Sequence, residues 1–247
     1  MVKLEVCIDN IESVDVCKKI VVDRLEVCSA LALGCLTPDI GLIKYAKDNT
    51  NIPLHIMIRP RPGDFLYSES EIDSMLYDIE YFSQIGIDGI VTGVLDKKFN
   101  INITSLKKIF NTAKKKNLSV TFHRAFDLIK DHKKALYELI DIGINRLLTS
   151  GHKDDAYSGA DNIKELVELS KNKISIMAGA GINKENLAQI IKISKVKDIH
   201  GSFLVFKNSF KEHNLKLGSS ANNMGYNITS KDKLIEIKNI IKKLNNT

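Results

Sequence analysis

The chain has 247 residues, of which 44% are hydrophobic and 27% charged, and its formal net charge at pH 7 is +6. No apolar run approaches the roughly 18 residues that a membrane-spanning helix needs, so we expect no membrane association. The lysines are spread over predicted helix faces without an RNA-binding signature, which argues against nucleic acid as a partner. The chain enters a strand pattern directly, without a signal-peptide stretch, and a cytoplasmic location is expected.

Short β-like runs alternate with amphipathic helical stretches about eight times along the chain. The predicted strands are Lys3–Ile8, Arg24–Cys28, Pro53–Ile58, Gly89–Thr92, Ser119–His123, Arg146–Thr149, Ile174–Met177 and Asp198–His200. The predicted helices are about Ile11–Val21, Pro38–Asp48, Glu69–Gln84, Ser105–Lys116, His132–Ile142, Ala160–Ser170, Lys184–Ile193 and Lys231–Leu244. Eight such βα units favour an α/β fold, a single-domain TIM (β/α)8 barrel over residues 1–247, rather than a doubly wound sheet of five or six strands.

Local sequence signals agree with these helix boundaries. Thr37 before Pro38 predicts an N-cap followed by proline at the first helical position, and Ser68 with Glu71 predicts a capping box. Left-handed residues are expected after three helices, at Gly86, Asn117 and Gly143. Residues 201–230 are long, polar and rich in Asn, Ser and Gly, which predicts a functional or partly disordered loop.

The interior of the predicted barrel is unusually polar. Strand alternation places Glu5 with Cys7, and Glu26 with Cys28, on the face that points to the barrel axis. The same alternation sends His55, Met57, Arg59, Thr121 and His123 inward. Barrel interiors are normally filled by Val, Ile and Leu, and each buried ion costs several kcal/mol. This set therefore favours a functional interior over a mutually satisfied structural network.

All four cysteines fall within the first 35 residues, and in this setting they are expected to be reduced. Cys7 and Cys28 should lie at similar depth on adjacent strands, roughly 5 Å apart. Paired thiolates suit a soft ion such as Cu(I), for which His55 offers a nitrogen ligand. The alternative is that both thiols are small buried hydrophobes. Cys17 is predicted to pack a helix against the sheet and has no assigned role.

Further candidates lie at the C-terminal ends of the strands, where the active sites of such barrels are found. Two arginines of one proline-stiffened loop could clamp a carboxylate or phosphate, and glycine-bearing loops after strands seven and eight could hold an anion. The candidate anion-binding residues are Arg59, Arg61, Asp64, Arg124, Ser150, Gly179 and Gly181. The candidates for moving protons are Glu5, Glu26, His123 and Asp127.

Several motifs resemble those of the CutC copper-homeostasis family, over about residues 3 to 202. They include Leu-Glu-Val-Cys at 4–7, Asp-Arg-Leu-Glu-Val-Cys at 23–28, Met-Ile-Arg-Pro-Arg at 57–61, Thr-Phe-His-Arg-Ala-Phe-Asp at 121–127 and Met-Ala-Gly-Ala-Gly-Ile at 177–182. The resemblance implies a TIM barrel, a cytoplasmic location and copper binding, with the family's copper cysteines matching Cys7 and Cys28.

The chain departs from the family pattern at three places. Pro62 stands where the family usually has glycine, which should stiffen the arginine loop. Cys35 also stands where glycine is typical, and it adds a thiol near the barrel mouth. The stretch Phe203–Tyr226 matches only loosely, so no family residue is carried over there.

Two functions follow from these patterns. One is a copper homeostasis protein that binds Cu(I) through Cys7 and Cys28. The other is a TIM-barrel hydrolase, lyase or isomerase that acts on a small anionic or sugar-like metabolite, because carboxylates in a low-dielectric barrel suit acid–base catalysis. A third, less favoured hypothesis is that the polar interior only maintains the fold and binds no ligand. The substrate, the role of Cys35 and a homo-oligomeric state are left open by the sequence.

Overall fold

In the computed structural model of the protein, eight parallel strands close into a barrel in chain order, which confirms the predicted TIM barrel. The structure describes residues 1–208 and 225–246. Pairing of the eighth strand with the first closes the ring. The barrel strands are β1 (Lys3–Ile8), β2 (Arg24–Val27), β3 (Leu54–Met57), β4 (Gly89–Thr92), β5 (Ser119–Phe122), β6 (Arg146–Thr149), β7 (Ser175–Ala178) and β8 (Asp198–Gly201).

Helices alternate with these strands and surround the barrel. They are α1 (Ile11–Ile20), α2 (Ile40–Asn49), α3 (Glu69–Ile85), α4 (Ile103–Lys115), α5 (His132–Ile142), α6 (Ala160–Ser170), α7 (Leu187–Ser194) and α8 (Lys231–Asn245). Within the described residues, no helix is long and apolar enough to cross a bilayer.

The main hydrophobic core lies between the barrel and the helices. Leu4, Val6 and Ile8 of β1 are buried in it, and Cys17 of α1 joins it as predicted. Burial of one such aliphatic side chain stabilises the fold by about 1.5–3 kcal/mol. Because alternate residues of a strand point in opposite directions, the residues between these face the barrel axis. The functional side chains are positioned in this way.

The helix ends confirm most of the predicted signals. Ser68 and Glu71 form a complete capping box on α3, and Gly86 ends that helix with φ 87°. Gly143 and Asn117 also take left-handed conformations, with φ 99° and 57°. The prediction that Thr37 is the N-cap of α2 is wrong.

Asp39 caps α2 instead of Thr37. Its Oδ1 accepts the N–H of Leu42 at 3.0 Å, and the helix begins at Ile40. Thr37 Oγ1 instead accepts the N–H of Arg59 at 2.9 Å, so this hydroxyl ties the loop after β2 to the loop after β3.

The predicted polar loop at 201–230 contains a strand at each end, which corrects that prediction. Leu204–Asn208 (β9) pairs antiparallel with Gly225–Thr229 (β10). The ribbon contacts α1, where Lys207 Nζ lies 2.7 Å from a Glu12 oxygen. The N–H of Thr229 donates to Ser13 Oγ at 2.9 Å. Residues 209–224 of the predicted loop lie outside the described residues.

Candidate functional site at the barrel mouth

A network of buried ions crosses β1, β2 and β8 inside the barrel. Strand register places Glu5 opposite Arg24 on one side and opposite His200 on the other. Arg24 donates through Nε to Glu5 and through Nη2 to Asp198 Oδ1 at 3.2 Å. His200 Nδ1 lies 2.8 Å from Glu5 Oε1.

Glu5 is held in its ionised form by these partners. Burial alone would raise its pKa, but the hydrogen bond from His200 and the charge of Arg24 hold that pKa well below its usual range. Since both of its oxygens are engaged, Glu5 fits a role in the ion network better than the predicted role in proton transfer.

A cluster of three thiols, formed by Cys7, Cys28 and Cys35, lies above this network. Cys7 Sγ is 3.6 Å from Cys28 Sγ and 3.4 Å from Cys35 Sγ. All three cysteines are free and buried. Cys7 and Cys28 are therefore close together, as predicted, whereas Cys35 is a member of the cluster that the sequence left without a role.

Cys35 comes from a tight loop rather than from a strand. Reciprocal hydrogen bonds between the main chains of Ser29 and Leu36, at 2.9 and 2.8 Å, close this loop and turn the thiol back over β1. The backbone of Cys35 has φ 67°, a left-handed conformation that glycine adopts more easily than cysteine. A non-glycine residue in this region marks a candidate functional position.

The second side chain beside Cys7 is Glu26, which lies opposite it in the strand register. The Cys7 thiol donates to Glu26 Oε1 at 3.1 Å, while Glu26 Oε2 has no hydrogen-bond partner among the described residues. Burial raises the pKa of Glu26 to about 8, so its carboxyl is mostly protonated at neutral pH.

His200 is the histidine that adjoins the cluster. Cys7, Glu26 and His200 form a second group whose ligand atoms all lie within 4.8 Å of one another, as those of the three cysteines do. Burial alone would lower the pKa of His200, but the carboxyls of Glu26 and Glu5 raise it to about 9.

His55, which the sequence offered as a nitrogen ligand, belongs to neither group. It lies opposite Glu26 and Gly89 in the register of β3, and its Nδ1 has no partner within the described residues. A Cβ on Gly89 would come within 2.7 Å of His55 Nε2, so this glycine leaves room for the ring. Burial lowers the pKa of His55 to about 3, so the ring is neutral.

The two arginines of the loop after β3 do not form the predicted anion clamp. Arg59 is buried and donates to the carbonyl oxygens of Leu33, Gly34, Cys35 and Gly63 at 2.8–3.2 Å. Arg61 instead reaches Glu71 on α3, at 2.5 Å, and Asp64, at 3.0 Å. Arg61 and Asp64 therefore stabilise this loop against α3 and line neither mouth cavity described below.

Asp127 holds the loop after β6, and its part in proton transfer stays a prediction. It accepts hydrogen bonds from the Thr149 hydroxyl and, at 3.0 Å, from the Ser150 N–H. Arg124 Nε donates to it at 2.9 Å, and Arg124 Nη2 donates to Ser150 Oγ at 2.8 Å. With these donors, the Asp127 carboxylate is occupied in positioning Arg124 and Ser150.

Two cavities open at the barrel mouth. The larger, about 640 Å³, is lined by Gly181, the residues after β8 and part of α8, together with Arg124 and His200. The smaller, about 290 Å³, contains Glu26, Arg59, His123 and again Arg124 and His200 among its lining residues.

The loop after β7 differs from its predicted form. Gly179 packs closely, since a Cβ there would lie 2.6 Å from Leu148 Cδ1, and Gly181 has φ 67° and lines the larger cavity. The helix begins at Leu187 rather than at Lys184, because Asn183 Oδ1 accepts the N–H groups of Glu185 and Asn186 in a turn. The predicted helix N-terminus is thus displaced from the glycines.

Four residues of the candidate site have no role predicted from the sequence: Cys35, His200, Arg24 and Asp198. Strand alternation was a sufficient signal for three of them, because Arg24 precedes Glu26 by two residues and Asp198 precedes His200 by two. Cys35 could not be placed in this way, since it lies in a loop.

Comparisons with known proteins agree with this architecture. The model of the CutC family matches residues 2–205. A CutC family protein of Glaesserella parasuis is 42% identical over 242 residues, which cover 97% of this chain and 98% of that protein. The copper homeostasis protein cutC homolog of Caenorhabditis elegans is 40% identical over 222 residues, covering 90% of this chain and 88% of that protein.

A solved structure gives the same result. The crystal structure of a CutC protein from Streptococcus agalactiae superposes with a TM-score of 0.77 at 32% sequence identity, and the match covers 82% of this chain and 99% of that one. Since the family model spans the whole barrel and these relatives match over most of their length, the chain belongs to the CutC family.

Proposed function

We propose that this protein acts in copper homeostasis by binding Cu(I) through the sulfurs of Cys7, Cys28 and Cys35. The observation that supports this most directly is the separation of the sulfurs, 3.4 and 3.6 Å, within one buried cluster. Thiolates are soft ligands that suit Cu(I), whereas carboxylates and carbonyl oxygens suit hard cations. The name of the Caenorhabditis elegans relative supports copper as the metal.

The charges around the cluster are compatible with bound Cu(I). Three thiolates and one Cu(I) carry a net charge of about −2, which is costly to bury unless cations lie nearby. Arg59 and His200 act electrostatically on Cys35, where both lower the thiol pKa. Glu26 adds little negative charge at neutral pH, because its pKa is about 8.

Copper must displace protons from this cluster. The pKa of Cys7 lies well above its usual value because the thiols of Cys28 and Cys35 are hydrogen-bonded to it and because it is buried. The pKa of Cys28 is also raised, above all by its hydrogen bond to Cys35. Those same bonds stabilise the Cys35 thiolate and lower its pKa to about 4. In the proposed site Cys35 is the anionic ligand before copper arrives.

Removal of a cluster sulfur is expected to abolish tight copper binding. Cys7→Ala and Cys28→Ala should each lower the Cu(I) affinity by at least about 100-fold, since even the outer partners of metal ligands are worth about 10- to 100-fold. The measurement is anaerobic competition for Cu(I) with a chromophoric chelator. Cys17→Ala is the matched control, because it removes a buried thiol that lies outside the cluster. This variant should bind one Cu(I) per chain, the stoichiometry expected of the parent protein.

Two results would contradict the three-sulfur site. One is Cu(I) binding of unchanged affinity in the Cys7→Ala variant. The other is a metal that survives Cys28→Ala and Cys35→Ala but is lost in His200→Gln, because this would place the ion at the group of Cys7, Glu26 and His200.

Two substitutions at Cys35 distinguish the effect of its sulfur on Cu(I) binding from the effect of its left-handed backbone on stability. Cys35→Gly and Cys35→Ala both remove the sulfur, so both should weaken Cu(I) binding. Only glycine accepts φ 67° without strain, so Cys35→Gly should exceed Cys35→Ala in free energy of unfolding by about 1 kcal/mol. Chemical denaturation of the metal-free proteins measures the difference. Equal stability of the two variants would show that this backbone position carries no strain.

A further inference from the structure

The smaller mouth cavity contains polar groups that the proposed copper site does not use. Its volume is about 290 Å³, and Glu26, Arg59, Phe65, His123 and Arg124 are among its lining residues. A cavity of this size accommodates a molecule of a few non-hydrogen atoms, since pockets for drug-sized ligands occupy about 300–1,000 Å³.

His123 lines this cavity and carries one hydrogen-bond donor without a partner among the described residues. Its Nδ1 accepts the N–H of Ala125 at 3.1 Å, so in the neutral ring the hydrogen is carried by Nε2. Burial lowers the pKa of His123 to about 3, which keeps the ring neutral. His123 Nε2 has no partner among the described residues, although the side chain is only 5% exposed. A buried donor without an acceptor costs about 1–3 kcal/mol, which a ligand can recover.

The orientation of the His123 ring is fixed by its surroundings. The Phe65 ring lies against it with a centroid separation of 4.8 Å, and the Arg59 guanidinium lies 4.9 Å from the Phe65 centroid. A Cβ on Gly93 would come within 2.4 Å of the His123 ring, so the absence of a side chain at that position is required. These contacts hold Nε2 in place before a ligand binds.

Two further polar groups of the lining, besides Arg124 and His200, bear on the ligand. Glu26 Oε2 is buried and has no partner in the described part of the chain. Arg59 is buried with its charge surrounded by neutral carbonyl oxygens, and no carboxylate pairs with it within residues 1–208 and 225–246. Its charge acts on Cys35, but no ion pair to a carboxylate is formed, so a carboxylate beside the guanidinium would be favourable.

We propose that this cavity binds a small hydroxycarboxylate, whose hydroxyl group bridges His123 Nε2 and Glu26 Oε2 and whose carboxylate neutralises Arg59. A hydroxyl can accept from the imidazole N–H and also donate to the carboxyl oxygen, so one group satisfies both unpartnered atoms. The ligand hydroxyl can donate to Glu26 Oε2 when the Glu26 carboxyl is ionised and can accept from it when it is protonated. The site adjoins the three-sulfur cluster, since Cys35 also lines the cavity and Glu26 Oε1 accepts from Cys7, but none of the three proposed contacts uses a sulfur and copper need not be bound.

The test compares lactate with propionate, which has the same carbon chain but lacks the hydroxyl. Calorimetric titration of the metal-free, reduced protein should show lactate binding at least about fivefold more tightly, the value of roughly one hydrogen bond. His123→Leu should reduce this preference by about the value of one hydrogen bond, because the hydroxyl group then keeps only Glu26 Oε2 as its partner. His132→Leu, at a partly exposed histidine outside the cavity, is the matched control and should keep the preference.

Imidazole NMR provides a second readout on the unmodified protein. Lactate should shift the Nε2–H resonance of His123, whereas propionate should not. Equal affinity for the two acids, no binding of either, or tighter binding of inorganic phosphate than of lactate would overturn the proposal. If His123→Leu does not fold, the lactate–propionate pair and the Nε2 shift still decide it. Because copper is absent throughout, the outcome is independent of the proposed metal site.

Discussion

Replacement of Arg24 by methionine is expected to lower the free energy of unfolding by about 3–5 kcal/mol. Methionine is similar in length and apolar, so the barrel keeps most of its packing. The loss comes instead from charge, because Glu5 and Asp198 stay buried without the guanidinium that pairs with both. Among the described residues, Glu5 then keeps His200 at 2.8 Å and Asp198 keeps the more distant Arg146 at 3.8 Å. Removal of one partner from a buried ion network costs more than the network contributes as a whole, since it leaves an uncompensated charge. Urea denaturation followed by circular dichroism measures the change.

Arg61→Met is the matched control for this prediction. Arg61 also pairs with two carboxylates, Asp64 and Glu71, but the Arg61 side chain is 37% exposed. Exposed ion pairs contribute about 0–1 kcal/mol, so this variant should stay close to the parent protein. A loss in Arg24→Met no larger than that in Arg61→Met would show that the charges inside the barrel are solvated rather than paired.

Replacement of Glu26 by glutamine is expected to raise the free energy of unfolding at pH 8 by about 2–4 kcal/mol and to lower it slightly near pH 4, where both side chains are neutral and only the cost of burying the amide remains. Burial raises the pKa of Glu26 from 4.5 to about 8. The folded chain therefore keeps a proton that the unfolded chain releases, and stability falls as the pH rises from 4.5 towards 8. Each unit of the shift is worth about 1.4 kcal/mol, and the cost of burying the new amide offsets part of the gain. Glutamine keeps an oxygen that can accept from the Cys7 thiol.

The measurement is the pH dependence of unfolding for both proteins in the metal-free state. The parent should lose stability between pH 5 and 8 more steeply than Glu26→Gln. Glu80→Gln removes an exposed carboxylate from α3 and serves as the control, which should follow the parent curve. Parallel curves for Glu26→Gln and the parent would mean that Glu26 is ionised in the folded protein at neutral pH.

The fold was predictable from the sequence because each element carries its own local signal. The alternation in β1 predicts both the strand and the inward direction of Glu5 and Cys7, and Gly143 predicts the end of α5. The N-cap of α2 could not be assigned as securely, because Thr37 and Asp39 are both good capping residues and only tertiary contacts decide between them. Thr37 is used by Arg59 instead.

The candidate site was only partly predictable, for a physical reason. Positions on strands follow from periodicity, but the direction of a side chain that leaves a loop does not. Arg59 and Arg61 are two residues apart, yet one turns into the barrel mouth and the other packs towards α3. Cys35 likewise reaches the thiol cluster because tertiary contacts, the Ser29–Leu36 bridge and the Arg59 guanidinium, fold its loop back. Acid–base catalysis by Glu26 and His123 stays a prediction.

The mixed origin of the three thiols bears on how quickly the proposed site could exchange its metal. The sulfur of Cys7 belongs to a barrel strand and that of Cys28 to the residue directly after one. Cys35 belongs to a loop that is held by two main-chain hydrogen bonds and by donation from Arg59 to three of its carbonyl oxygens. Opening of a short loop costs far less than unfolding of a barrel, so one ligand can dissociate while the other two stay in place. Affinity would then be set largely by the strands and the rate of transfer by the loop, which allows tight binding and rapid hand-over in the same site.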